Sequence, residues 1–274
     1  MAKVLIVTRT KNREILLKRA IESINSQTYT DWHHVIVNDG GNPGRIKEAI
    51  IELSETYRSK LSVIHNEVSV GMEQASNIGI TSCDSEFITI HDDDDTWHPK
   101  FLERAIETLQ SHKFEGVTSH VNQIFEEIIN NRIIIKRKRY FDPLLNNRLS
   151  YIHLQNKNYF LPISFVFSRK AYNQLCGFDE VFEVCGDWDF HYRFLQRYRL
   201  AVIKERLANY HVRSSVANTQ PDSINSVKNK LLHKKYSNLF YTKHNINPNS
   251  NRFIVLYDGV VLKIIRQFYR LISK

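Results

Sequence analysis

A chain of 274 residues with 42% hydrophobic and 11% aromatic content can bury a substantial core as one large domain or two small ones, which excludes a disordered tail. Its 38 basic against 29 acidic residues leave a net charge of +9, favouring anionic partners: a nucleotide phosphate, an anionic membrane face or nucleic acid. No segment approaches the about 20 apolar residues of a membrane span. The run Val4-Leu5-Ile6-Val7 after Met1-Ala2-Lys3 is too short for a secretory signal. Cys83, Cys176 and Cys185 show no paired metal spacing and leave an odd thiol, so a reducing cytoplasm is favoured over secretion.

From the start of the chain, Lys3 to Thr8 reads as a strand, and Leu17, Ala20, Ile21 and Ile24 recur at helical spacing after a cap at Asn12. His34 to Val37 is a second strand, stopped by the turn formers of Asn38 to Gly44. Ile46, Ala49, Ile50, Leu53 and Tyr57 mark a further helix, Leu61 to His65 a third strand, Met72 to Ile80 a short helix and Glu86 to Ile90 a fourth strand. Strand and helix alternate throughout. That alternation predicts an α/β doubly wound unit, a mainly parallel sheet with helices on both faces.

The fourth strand runs through His91 into Asp92-Asp93-Asp94-Asp95, four acids that repel one another and are ionised at neutral pH when unshifted. A cation, a helix N-terminus or open water makes such a corner tolerable. Thr96 as a cap and Pro99 in a first turn support a solvated helix start. Location supports a ligand instead, because open α/β sheets bind ligands outside the carboxyl ends of their strands. Metal-assisted handling of a phosphate is the corresponding chemistry.

Beyond Trp97 a helix from Pro99 to Ser111 precedes Val117 to Ile135, where Asn130-Asn131 predicts a hairpin. The basic run Lys136 to Arg139 reads either as a solvated strand end or as a clamp for an anionic acceptor or lipid headgroup. The last part holds a helix from Val227 to Tyr241, a polar linker at His244 to Asn251, and a tail with Val261, Ile264, Ile265, Phe268, Leu271 and Ile272 on one face. Lys263, Arg266, Arg270 and Lys274 mark the other face. Such a helix can lie on an anionic membrane or pack on its own domain.

Several of these pieces occur together in a known order: Thr10-Lys11-Asn12-Arg13, Ser26-Gln27-Thr28-Tyr29, Val37-Asn38-Asp39-Gly40-Gly41, Gly71 to Gly79 with Asn77, Asp92 to Trp97, and Gly177-Phe178-Asp179-Glu180 leading to Gly186-Asp187-Trp188-Asp189. Over roughly residues 3 to 215 they resemble family 2 of the inverting glycosyltransferases, whose catalytic domain has the nucleotide-diphospho-sugar transferase (GT-A) fold. The resemblance implies a domain over 1–215, with a nucleotide-sugar-binding half at 1–95 and an acceptor half at 96–215, followed by a helical extension at 216–274.

It also implies roles. Thr10, Arg13, Asp39, Asn77, Asp92 and Asp93 would contact the nucleotide sugar, Asp39 accepting from a base ring N–H such as that of uracil. Asp94 would meet a divalent Mn²⁺ or Mg²⁺ held mainly by the diphosphate, with His211 as a second metal ligand or Arg213 on the diphosphate instead. Asp187 would be the base that frees the acceptor hydroxyl, with Asp189 its neighbour and competitor. The implied partners are a nucleotide-sugar donor, a saccharide or lipid-linked saccharide acceptor, and the inner membrane face for a cytoplasmic, peripheral enzyme of bacterial polysaccharide assembly. No nucleic-acid motif is present. The sequence departs from the family pattern at Gly41, at Ser76, where an arginine is common, at Gly186, where a glutamate often precedes the base, and in the order Tyr210-His211-Val212-Arg213. A non-catalytic binding protein and a metal-dependent nucleotidyltransferase are the rival readings.

Overall fold

A computed structural model describes residues 2–130, 132–141, 149–213 and 230–248. The amphipathic tail at 261–272 and its membrane reading lie outside the described residues.

The first half alternates as its periodicity predicts: β1 (Ala2–Thr10), α1 (Glu14–Asn25), β2 (Trp32–Asp39), α2 (Pro43–Ile50), α3 (Glu55–Arg58), β3 (Leu61–Asn66), α4 (Met72–Thr81) and β4 (Ser85–Ile90). β1 pairs in parallel with both β2 and β4, and β2 with β3. Along β1, Leu5 and Val7 enter one core while Val4 and Ile6 enter the other, so the strand is buried on both faces. α4 lies close on one face. A Cβ at Gly79 would stand 2.5 Å from Val7 Cγ1 and 3.0 Å from Val37 Cγ2.

The second half comprises β5 (Thr96–Trp97), α5 (Phe101–Leu109), β6 (Gly116–Ile129), β7 (Arg132–Tyr140), α6 (Tyr151–Leu154), a 3₁₀ turn at Pro162–Ser164, β8 (Phe165–Ser168), α7 (Arg169–Gln174), α8 (Gly186–Arg197), β9 (Leu200–Arg213) and α9 (Lys230–Lys243). The sheet order is β3-β2-β1-β4-β8-β6-β9-β5, with β7 added on β6. Here the sheet turns mixed: β8 runs antiparallel to β4 and β6, whereas β6 and β9 are parallel. The Asn130 hairpin joins β6 to β7 as predicted.

Several boundaries differ from the sequence reading. The helix expected over 46–57 is two helices, because Ser54 caps a new start by accepting from Tyr57 N. Asn12 caps nothing; it sits at φ 55° and its side chain accepts from Asn42 N instead. Thr96 is likewise no helix cap, since Thr96-Trp97 pairs with β9 and α5 begins only at Phe101.

Candidate active site

Register builds the first part of the site. Val7 lies opposite Ile90 in the β1–β4 pair, so two residues on, Arg9 comes level with Asp92 and Thr10 with Asp93. Arg9 is ion-paired with Asp92, and the buried Thr10 hydroxyl donates to Asp93 Oδ2 at 2.7 Å. Arg13, in the turn before α1, reaches Asp93 Oδ1 at 3.0 Å and Asp94 Oδ2 at 3.5 Å. Asp93, Asp94 and Asp95 are all buried, so the solvated-cap reading does not hold. Burial pushes the carboxyls of Asp93 and Asp95 upward, and Asp94 adds to both by repulsion. For Arg9, burial opposes the charge but Asp92, Glu73 and Asp187 outweigh it, so the guanidinium is held protonated.

A second cluster comes from the parallel β6–β9 pair, where Glu126 lies opposite Arg213 and Ile124 opposite His211. Glu126 is buried among three cationic or donor groups: Arg213 Nη1 at 2.8 Å, Arg19 Nη1 at 2.7 Å and His211 Nδ1 at 2.6 Å. Burial alone would raise its carboxyl; bonds from His211 and Arg19 overcome that and hold it at about 2. Arg213 also pairs with Asp94, and Arg19 Nη2 donates to the Asp94 carbonyl at 2.5 Å. The two clusters are therefore one network.

His211 is neutral, because burial pulls its ring down further than Glu126 raises it. With Nδ1–H donated to Glu126, its Nε2 lone pair faces the Thr96 hydroxyl at 3.0 Å. A carboxylate behind Nδ1 is the usual way to present Nε2 to a metal. Among the described residues no group of three His, Cys, Asp or Glu could hold an ion by itself. Mg²⁺-type cations are nevertheless commonly held by one or two protein ligands plus substrate phosphates. Asp94 with His211 Nε2 has the chemistry of such a partial set.

Asp187 stands in the first turn of α8, entered through Cys185 at φ 69°. Asn158 Nδ2 donates to its Oδ2 at 2.8 Å, and Asn158 Oδ1 meets His191 Nδ1 at 3.0 Å. His191 is fixed in turn by stacking on Phe160, 3.9 Å between centroids. Burial pushes the Asp187 carboxyl up to about 6, with Trp188 N–H and Arg9 opposing and Asp92 reinforcing. Its field reaches the same groups as the aspartate run. The Tyr210 phenol, raised first by burial, is raised further by Asp95, Asp94, Asp92 and Asp187 together.

The remaining candidates occupy other places. Asp189 faces away from Asp187 and accepts from Arg193 at 2.6 Å, Lys243 at 2.7 Å and His244 at 2.8 Å. Burial is outweighed there and the carboxyl is held at about 2, so Asp189 joins α9 to α8 and does not rival Asp187. Asp39 accepts from Asn66, Ser69, Val70 N and Gly71 N, thereby shaping the turn before α4. Asn77 spends its amide on Phe178, Glu180 and Tyr172, stapling α4 to the 177–180 loop. Trp188 stacks on Phe240 at 4.3 Å and Trp97 on Phe101 at 4.6 Å, both as core.

Sequence reasoning missed Arg9, Arg19, Glu73, Glu126 and Asn158. Glu126 carried a signal, one of two adjacent acids inside the otherwise apolar stretch Ile124 to Ile129. Arg19 carries no local signal, lying between the apolar positions Leu17 and Ala20 of α1.

The sequence model of "Glycosyl transferase family 2" matches residues 5–176. An uncharacterized glycosyltransferase of Bacillus subtilis, YwdF, is 27% identical over 199 residues, 72% of this chain and 70% of that protein. The Escherichia coli protein WfgD, named as a UDP-Glc:alpha-D-GlcNAc-diphosphoundecaprenol beta-1,3-glucosyltransferase, is 24% identical over 52% of this chain and 54% of its own length. Among solved structures, S. aureus TarS 1-349 superposes with a TM-score of 0.60 at 17% identity, covering 76% of this chain and 60% of that one. A mannosyltransferase from Pyrobaculum calidifontis, solved with GDP-Man and Mn²⁺, gives 0.58 at 15% identity over 96% of this chain and 81% of its own. The shared architecture is the GT-A fold. With its family match spanning more than half its length, the chain belongs to glycosyl transferase family 2.

Proposed function

We propose that this chain is an inverting, divalent-metal-dependent glycosyltransferase that moves a sugar from a nucleoside diphosphate donor, UDP-linked, to a hydroxyl of a saccharide or lipid-linked saccharide in bacterial polysaccharide or glycoconjugate assembly. The observation that carries this reading is Asp187. It is a half-buried carboxyl at a helix start, oriented by Asn158 and titrating at about 6, set in the same field as Asp92 and Asp94. A base needs a value near the working pH and a fixed direction, and Asp187 has both.

In the proposed reaction the acceptor hydroxyl gives its proton to Asp187 as its oxygen bonds to the anomeric carbon. The anomeric carbon–oxygen bond to the diphosphate breaks on the opposite side, its electron pair leaving with the nucleotide. Asp94 and His211 would hold Mn²⁺ or Mg²⁺, which when bound neutralises charge on the departing diphosphate. Arg13 and Arg213 stand beside Asp94 and add fixed positive charge there. Thr10, Asp92 and Asp93 form the wall for the nucleotide sugar, and Asp39 meets the base by exchanging one of its internal hydrogen bonds for a ring N–H.

The donor class is supported by structural neighbours solved with UDP, with UDP-GlcNAc, and with GDP-Man and Mn²⁺. The acceptor class is supported by two relatives named for diphosphoundecaprenol-linked saccharides, in Campylobacter jejuni and E. coli. No helix among the described residues is long and apolar enough to cross a membrane.

The test is a panel of nucleotide sugars assayed for turnover with Mn²⁺ by wild type and Asp187→Asn. Transfer should fall by about 10²- to 10⁴-fold in the variant while donor binding stays within a few fold. Wild-type turnover should decline below pH 6 as Asp187 takes up a proton. Full turnover by Asp187→Asn would remove the base assignment.

A further inference from the structure

Beside the base lies a second carboxyl that the proposed reaction does not use. Glu73, in the first turn of α4, is 3% exposed, and its Oε2 is buried with no hydrogen-bond partner among the described residues. Its side chain points at the start of α8. A Cβ built on Gly186 would collide with the Glu73 carboxyl, standing 2.5 Å from Oε1, so glycine at 186 is what leaves room for it. Gly186 immediately precedes Asp187.

A buried carboxylate without a partner is costly, and a carboxyl in that position keeps its proton instead. The groups facing Glu73 sharpen this. Arg9 from β1 is attractive but already paired with Asp92; Asp92 itself, together with Asp187 and Asp189 from α8, repels a negative charge. The Cys185 thiol, at the same helix start, is held up by burial, by Asp187 and by Glu73, and adds no positive charge.

We propose, on the assignment of Asp187 as base, that Glu73 is a positioning residue for it: a protonated carboxyl from α4, seated in the gap at Gly186, that fixes the first turn of α8 and whose loss of the proton shuts the enzyme down on the alkaline side. Burial, followed by repulsion from Asp187 and Asp92 against the pull of Arg9, places that loss at about pH 8. Turnover would then be bell-shaped. Its acid limb belongs to Asp187 and its alkaline limb to Glu73.

Infrared titration of the full-length protein from pH 6 to 10, without added ligand, reads the proton directly. Wild type should show a protonated-carboxyl band that disappears near pH 8, Glu73→Gln should lack that band, and Asp187→Asn should keep it. In the turnover assay Glu73→Gln should lose the alkaline limb and retain the acid one. A spectrum that Glu73→Gln leaves unchanged, or an alkaline limb that persists in that variant, would overturn the proposal. The contact itself is tested by Gly186→Ala, which should lower the melting temperature in wild type and much less on a Glu73→Ala background; equal losses on both would also overturn it. Normal turnover by Asp187→Asn would instead remove the underlying base assignment, an outcome the infrared result does not depend on.

Discussion

Asp187 and Asp189 are two residues apart and of one type, yet their surroundings give them opposite properties. Three cationic or donor groups hold Asp189 at about 2, whereas Asp187 has the Asn158 side-chain amide and backbone N–H groups as its donors and titrates at about 6. A carboxylate saturated by Lys, Arg and His cannot act as a base in the working range. Asn158 therefore aims the proposed base, and its own direction is set by His191, a ring that burial keeps neutral by pulling it down to about 3. Replacing Asn158 with Ala should lower kcat by about 10- to 100-fold with KM changed far less, because a misdirected base costs rate and not donor affinity. Steady-state kinetics at saturating donor check this. The sequence made Asp187 visible through its motif, but Asn158 lies 29 positions away in a stretch with no periodic pattern, and only the fold brings it near.

Among the elements, the parallel half was legible because burial on both faces leaves apolar runs of strand length, and the helices between them carry clear apolar stripes. The acid run was legible as a strand end. Its meaning was not, since a helix cap and a ligand corner share the same local sequence; pairing of Thr96-Trp97 with β9, 113 residues downstream of Thr96 at Asn209, rules out the cap. Mixed pairing in the second half was likewise unreadable, because register between β4, β8 and β6 depends on long-range contacts. α9 was found from its pattern, whereas its docking on α8 was not. Asp189→Ala should weaken that docking by leaving Arg193, Lys243 and His244 without their shared acceptor, at a cost of about 3–5 kcal/mol. Amide hydrogen exchange would then be faster along Lys230–Lys243 than in the β1–β4 core, and unchanged protection of α9 would contradict this role.

Taken together, the chain places its cationic and anionic groups unevenly. Against a net charge of +9, the aspartate run is largely buried, each acid answered by an arginine or a backbone donor. In the proposed reaction an anionic donor would be drawn by the net positive charge and meet acids that are already compensated. In the proposed reaction one donor lies between Asp94 and Asp187, its diphosphate at the first and its anomeric carbon turned toward the second. A crystal structure of the Asp187→Asn protein with UDP-glucose and Mn²⁺ is the test. It should show Mn²⁺ between Asp94 and the diphosphate, with residue 187 on the face of the sugar opposite the leaving oxygen. A diphosphate bound away from Asp94, or a sugar whose reacting face points away from residue 187, would contradict that reaction.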